Sequence, residues 1–381
     1  MEMSKVRLIV LSTFGLEAVI KRELMDLGFN DFVVADGKIE FDAEMKDIPR
    51  LNIGLRAADR VLVKVGEFPA TDFGQLFDAA RALPWEDWLT YDARIEVIGK
   101  CVRSQLMSVR SCQSIVKKAV VERLKEKFLT EILPETGPEY TISVALLKDV
   151  AQLTLDTSGN GLHKRGYRSA KGDVPLRENL AAALVLLSFW DKERLLIDPM
   201  CGSGTILIEA AMIARNIAPG IDREFVSELW PALDSEYWRK ARLDAQAAII
   251  REGELKIFGY DIDEERIKDC LINARNAGVA GDIAFAVKDI KDLWIDKQYG
   301  IVITNPPYGV KLGSQKELTP VYVSIHNMFK KKTGWSLFVL TADKRFPDFF
   351  KRAAPDRVRK LFNGTIEVNY YQYHGEHEPR G

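Results

Sequence analysis

Leu195-Leu196-Ile197-Asp198-Pro199-Met200-Cys201-Gly202-Ser203-Gly204-Thr205 reads as a short buried strand, an acid at its carboxyl tip, a glycine-bearing turn and the opening of a helix that continues to Ala214. Strand, tight turn and helix make the first unit of a doubly wound sheet, and such sheets bind ligands outside the carboxyl ends of their strands. Gly202 and Gly204 let the backbone approach a ligand, and the helix amino terminus presents free N–H groups. Spacing narrows the ligand. A dinucleotide turn needs a third glycine where Leu207 stands and an acid ~20 residues on; the next acid ending a strand is Asp261. A P-loop needs a lysine between Gly204 and Thr205, and there is none. The Asp198 carboxylate would repel a phosphate and welcome an ammonium or a hydroxyl.

The strands that follow place more acids at the same edge. Leu255 to Tyr260 ends in Asp261-Ile262-Asp263, where an acid can take both hydroxyls of a ribose. Ile283 to Val287 is followed by Asp289, which can accept from an adenine amino group while Ile262 and Ile290 sandwich the ring. The fourth strand, Tyr299 to Thr304, delivers Asn305-Pro306-Pro307-Tyr308. Alone this is a turn signal. Two prolines also fix φ and remove two donors, so the Asn305 carboxamide oxygen and the Pro306 carbonyl can both accept from an exocyclic NH2 while Tyr308 offers a ring for stacking. The series describes a site for S-adenosylmethionine beside a flat, amine-bearing acceptor. An apolar-striped helix from Leu176 to Trp190 precedes it, and Asn363-Gly364 marks a closing hairpin with an antiparallel last strand. Residues 217 to 253 form an extra segment whose Trp230 and Trp238 are expected in a core.

Upstream lie two α+β units. Val6 to Leu11, a helix from Leu16 to Leu27 and a hairpin at Asp36-Gly37 form the first; a helix capped near Thr71 or Asp72, a strand at Ile95 to Ile98, a helix from Ser111 to Phe128 and two strands joined near Lys148-Asp149 form the second. The composition, 47% hydrophobic and 29% charged with net charge -1, is that of an ordinary globular chain, so any polyanion site must be a local patch. Two patches qualify. Lys100, Arg103, Arg110, Lys117, Lys118, Arg123, Lys125 and Lys127 face only Glu122 and Glu126. The stretch Leu162-His163-Lys164-Arg165-Gly166-Tyr167-Arg168 interleaves cations with rings, which suits phosphate contact and base stacking. Either could also be a solvated face or a linker. Cys101, Cys112, Cys201 and Cys270 show no paired spacing and four scattered histidines no ligand pattern, so reduced thiols and no metal are expected. No apolar run reaches the ~20 residues of a membrane span, and the opening residues lack a signal-peptide order, so a cytoplasmic protein is expected.

The Asp198 to Thr205 turn, Asn305 to Tyr308 and Leu162 to Arg168 together resemble the THUMP-containing guanine-N2 RNA methyltransferases, nearest to the bacterial group acting on 23S ribosomal RNA. The resemblance spans nearly the whole chain. It implies a ferredoxin-like domain over 1–65, a THUMP RNA-binding domain over 66–157, a basic linker over 158–172 and a Rossmann-like class I methyltransferase domain, an α/β fold, over 173–381. It implies that Asp198, Gly202 and Gly204, within a cofactor turn that includes Pro199, Cys201 and Thr205, hold the methionine part of S-adenosylmethionine. Asp261 would take the ribose and Asp289 the adenine, with Ile262 and Ile290 on either side of its ring, and Asn305 with Pro306, Pro307 and Tyr308 the target amine. RNA contact would fall to Lys100, Arg103, Lys117, Lys118, His163, Lys164, Arg165, Tyr167 and Arg168. Transfer-RNA guanine-N2 methylation, adenine-N6 methylation and non-catalytic RNA binding stay open at this point. Cytosine-C5 methylation would need a cysteine nucleophile beside the turn, and none is there; a nicotinamide enzyme fails on the glycine spacing.

Overall fold

The computed structural model describes residues 5–168, 176–294, 296–307, 315–350 and 354–376. Two compact units emerge, one made of 1–12, 21–162 and 222–244, the other of 13–20, 163–221 and 245–381.

The first unit is built on one seven-stranded sheet. Its strands are β1 (Lys5–Leu11), β2 (Val33–Ala35), β3 (Lys38–Glu44), β4 (Arg60–Pro69), β5 (Arg94–Val102), β6 (Glu139–Leu147) and β7 (Val150–Asp156), in the order β2-β3-β1-β4-β7-β6-β5. The helices here are α1 (Glu17–Asp26), which begins in the other unit's residues, α2 (Asp47–Gly54), α3 (Phe73–Ala82) and α4 (Val109–Phe128). Local chemistry sets their ends. Asp72 caps α3 by accepting from the Gln75 amide at 2.9 Å, Ser108 caps α4, and Leu129 closes α4 in the left-handed region. Lys148 and Asp149, both at positive φ, make the two-residue turn between β6 and β7. The two α+β patterns of the sequence share β4, which pairs with β1 over Arg60–Val63 and with β7 along its length. A bulge between Lys64 and Gly66 falls where the two patterns meet.

The segment 222–244 belongs to this unit. The Ser227 hydroxyl donates to the Thr157 carbonyl at 2.7 Å, and Arg223 donates to the carbonyls of Asn160 and Leu162. Trp230, 1% exposed, stacks on Tyr140 at 4.7 Å and donates to the Glu139 carbonyl at 2.9 Å. Trp238 stacks on Phe225 at 5.2 Å. Both tryptophans are core residues as expected, but of the unit carrying β6 rather than of the sheet whose strands flank them in sequence.

The second unit is a doubly wound sheet. Helix α5 (Glu178–Leu186) leads to β8 (Leu196–Asp198) and α6 (Thr205–Ala214); after α7 (Ser235–Ala247), most of which belongs to the first unit, come β9 (Ile257–Asp261), α8 (Glu264–Asn276), β10 (Ile283–Val287), β11 (Gly300–Thr304), α9 (Gln315–Phe329), β12 (Trp335–Thr341), α10 (Phe346–Phe349), β13 (Arg357–Asn363) and β14 (Ile366–Tyr373). The order is β10-β9-β8-β11-β12-β14-β13. Strands β8 to β12 are parallel and β14 runs antiparallel between β12 and β13, as the Asn363-Gly364 hairpin foretold. Order reverses at β8, so β8 and its neighbours β9 and β11 open the crevice where ligands bind.

Truncating Trp230 to alanine removes a fully buried ring and a hydrogen bond, an expected cost of about 3–5 kcal/mol. Thermal unfolding followed by tryptophan fluorescence and calorimetry should show the first unit melting many degrees earlier; an unchanged profile would show that 222–244 is peripheral to that core.

Candidate active site

The carboxyl tips of β8, β9 and β11 converge. Asp198, 2% exposed, accepts from the Thr304 hydroxyl at 2.7 Å and from the Met200 amide at 3.1 Å. Burial pushes its carboxyl up to about 7, opposed by those two bonds and aided by the negative charge of Asp261. Thr304 was not foreseen. Its signal was a hydroxyl ending an otherwise apolar strand, Ile301-Val302-Ile303, where a buried polar group needs a partner.

Asp261 sits at the tip of β9 with one oxygen accepting from the Gly202 amide at 2.9 Å and the other from the Asp263 amide at 3.0 Å. Desolvation raises this carboxyl also. Each oxygen keeps a further lone pair, so it can still meet hydroxyls while holding the turn to β9. Asp289 accepts from the Lys291 amide at 2.9 Å and faces its ammonium at 3.5 Å.

The two glycines do different work. Gly202 (φ +53) and Gly204 (φ +80) both lie where L side chains rarely go. A Cβ at Gly202 would meet nothing within 4 Å, so its backbone faces open space as expected. At Gly204 a Cβ would come within 3.2 Å of Cys270 Sγ and 3.3 Å of the Phe285 ring, so this glycine serves close packing rather than ligand approach. As the residue capping α6 it offers no side-chain acceptor, which leaves the first amides of that helix uncovered by a cap. Cys201 is buried with its Sγ 3.8 Å from Cys270 Sγ; that thiol and burial hold it protonated, so it is no nucleophile. Pro199 is buried and Thr205 accepts from Arg168 at 3.0 Å.

Ile262 is 68% exposed beside Asp261, placed to cover a flat ring, whereas Ile290 is 8% exposed and packs with Leu293, Val302 and Tyr322 in the core. A sandwich of the two side chains is therefore not what the fold builds. Asn305 follows Thr304 directly, and its Oδ1 is buried with no hydrogen-bond partner among the described residues. Pro306 is buried and Pro307 exposed; Tyr308 lies outside the described residues.

The basic stretch needs correction. Arg165, its side chain 2% exposed, pairs with the fully buried Glu209 of α6 at 3.4 Å, and the Tyr167 hydroxyl donates to the same carboxylate at 3.1 Å. Arg168 donates to Thr205 Oγ1 and to the Leu176 carbonyl and pairs with Glu178. These three residues anchor the catalytic unit internally and are not presented to RNA; His163 is half-buried and Lys164 exposed. In the other unit Lys100, Arg103 and Lys118 are exposed, while Lys117 is half-buried against Glu135 at 3.2 Å. Lys118 lies 3.8 Å from Glu122, and Arg123 and Lys127 converge on Glu86, so part of the basic excess on α4 is neutralised locally.

Comparison with known proteins supplies the context. Residues 165–372 match the family described as RMKL-like, methyltransferase domain; 7–62 match the RlmL ferredoxin-like domain and 70–156 the THUMP domain. Bacillus subtilis YpsC, described as a candidate RNA methyltransferase, is 42% identical over 99% of this chain and 98% of its own. The crystal structure of SMU.472, a candidate methyltransferase solved with S-adenosylhomocysteine, is 39% identical over 100% of both chains with a TM-score of 0.93. A Listeria monocytogenes protein described as a predicted N6-adenine-specific DNA methylase is 43% identical over 98% of this chain and 97% of its own, also with a TM-score of 0.93.

Two outcomes follow from the site's electrostatics. The Asp198 carboxyl is raised from 3.8 to about 7, so the folded state binds its proton more tightly than the unfolded one. The stability this contributes is complete below pH ~4 and lost by pH ~7, roughly 4 kcal/mol in all. Asp198→Asn should therefore melt higher than the parent at pH 8 and match it near pH 4, an order that melting curves across that range check. Breaking the buried Arg165–Glu209 pair by Arg165→Ala should cost about 3–5 kcal/mol; chemical denaturation measures it, and full stability with weakened RNA binding would restore the RNA-contact reading.

Proposed function

The chain belongs to the RMKL-like methyltransferase family, and from that membership we propose that it methylates the exocyclic N2 amine of a guanine in structured RNA, with 23S ribosomal RNA or a ribosome-assembly intermediate as the substrate. The chain is an S-adenosylmethionine-dependent methyltransferase with a THUMP domain, and it acts on RNA. A cytoplasmic site of action is part of the same proposal.

The residues present fit the cofactor. The backbone at Gly202 faces open space, α6 has no capping side chain, and Asp198 and Asp261 make a doubly acidic crevice that favours a ligand carrying an ammonium and hydroxyls. Asp198, Asp261 and the 202–205 backbone would hold it, with Ile262 and Asp289 toward its base. Bound there, the cofactor supplies an electrophilic methyl group on a sulfonium.

The observation that carries the acceptor reading is the unpartnered, buried Asn305 Oδ1. A buried acceptor without a donor costs about 1–3 kcal/mol. An exocyclic amine supplies what it lacks. In the proposed complex a guanine leaves its helix, Asn305 Oδ1 and the Pro306 carbonyl take the two N2 protons, and the nitrogen lone pair faces the methyl donor. Orientation is the protein's main contribution. The proton departs after transfer, so no strong base is required.

An adenine-N6 acceptor has the same amine geometry, and the description of the Listeria monocytogenes relative favours it as the second reading. Tritium transfer from labelled cofactor to ribosomal RNA, transfer RNA and DNA, followed by nucleoside analysis, separates them. N2-methylguanosine in large-subunit RNA is the expected product; N6-methyladenosine, or labelling of transfer RNA alone, would replace the substrate. Asn305→Ala should lower turnover at least a hundredfold while leaving cofactor affinity within about threefold, measured by single-turnover transfer beside calorimetric titration.

A further inference from the structure

We propose that the inner face of α8 is the clamp that sets the cofactor turn, with Asn273 and Cys270 as its positioning residues. The two stand three apart on the helix, hence on one face, and are 1% and 0% exposed. Asn273 Nδ2 donates to the Ser203 carbonyl at 3.1 Å, and Cys270 Sγ donates to the Gly202 carbonyl at 3.1 Å. The Cys201 carbonyl is taken by the Gly204 amide at 2.8 Å. Three consecutive carbonyls of the turn are thus held, two of them by α8.

Holding a carbonyl aims the amide beyond it. In a trans peptide C=O and N–H point in opposite directions. With the Gly202 carbonyl against Cys270, the Ser203 N–H is turned away from α8. Side chains that touch no ligand thereby direct the donors that do. Gly204 is the steric counterpart, since a Cβ there would crowd Cys270 Sγ at 3.2 Å and the Phe285 ring at 3.3 Å, and its positive φ strains any L side chain. One turn further along, Asn276 Nδ2 donates to the Tyr167 carbonyl at 3.0 Å, and Arg168 next to it reaches Thr205. Helix α8 and the 165–168 stretch so brace the turn from both of its ends.

The inference rests on the reading that this turn holds the cofactor, and one titration separates the two. S-adenosylhomocysteine is titrated calorimetrically into the parent chain and into Asn273→Leu, Cys270→Ala and Cys270→Ser, with steady-state kinetics on the same proteins. Asn273→Leu keeps the volume without the donor and should bind about five- to tenfold more weakly, the worth of one hydrogen bond. Cofactor KM should rise by the same factor with kcat and RNA KM unchanged. Cys270→Ala should lose affinity and Cys270→Ser, which keeps a donor, should recover most of it; this pair keeps the test decisive if Asn273→Leu folds poorly. Parental affinity in both Asn273→Leu and Cys270→Ala, or equal loss in the Ser and Ala variants, would overturn the clamp alone. A parent that binds no S-adenosylhomocysteine would overturn the cofactor reading beneath it.

Discussion

The buried carboxylate of Asp198 is the constraint on which the catalytic unit depends. An acid that is 2% exposed at a strand tip must find donors or stay protonated, and it finds the Thr304 hydroxyl and the Met200 amide. The first bond ties the tip of β8 to the tip of β11, so the residue after Thr304, Asn305, is fixed relative to the glycine turn. The second begins that turn. Asp261 repeats the device from β9 by taking the Gly202 and Asp263 amides. Two acids share the crevice and neither has a cation of this unit bonded to it among the described residues. Such a site is electrostatically unfinished without a cationic ligand, a local conflict of the sort that proteins keep where they function.

What was legible in the sequence was what is local. The strand-turn-helix at Asp198, the acids at successive strand tips and the Asn305-Pro306-Pro307 segment are each contiguous, and period and punctuation place each at the right end of the right strand. The Arg165 to Arg168 stretch was not legible in this way, because its partner, Glu209, lies more than forty residues away in sequence. Seen alone, cations alternating with rings look like a nucleic-acid loop. The corrective signal was on the other side: Glu209 is the one acid in Thr205-Ile206-Leu207-Ile208-Glu209-Ala210-Ala211, an otherwise apolar helix start. A carboxylate in a helix buried all round must be met by a cation and donors from elsewhere.

The same limit governs the first unit. Most strands of the first unit could be read from local β-runs and turn signals, yet local pattern cannot say that β4 serves two α+β patterns at once or that a bulge within it lies at their junction. Nor does it say where an inserted segment packs. Trp230 and Trp238 announced a core by size alone; only their partners, Tyr140 and Phe225, reveal which core it is. Burial is a statement about one residue, whereas domain membership is a statement about pairs.

The acceptor side follows a different logic from the cofactor side. Charge would be the obvious way to hold an amine, yet the residue at the tip of β11 is the neutral Asn305, while the acids stand on β8 and β9. A carboxylate there would add a further negative charge to a crevice that already holds Asp198 and Asp261. A carboxamide oxygen accepts the N–H without that added charge, so it orients the amine. Its burial without a partner makes the orientation stronger, because the desolvation of Oδ1 is already suffered in the empty protein and a bound amine only relieves it. In the proposed reaction the acids therefore bind the charged donor, the amide aligns the neutral acceptor, and the separation of those two roles onto different strands keeps each from disturbing the other.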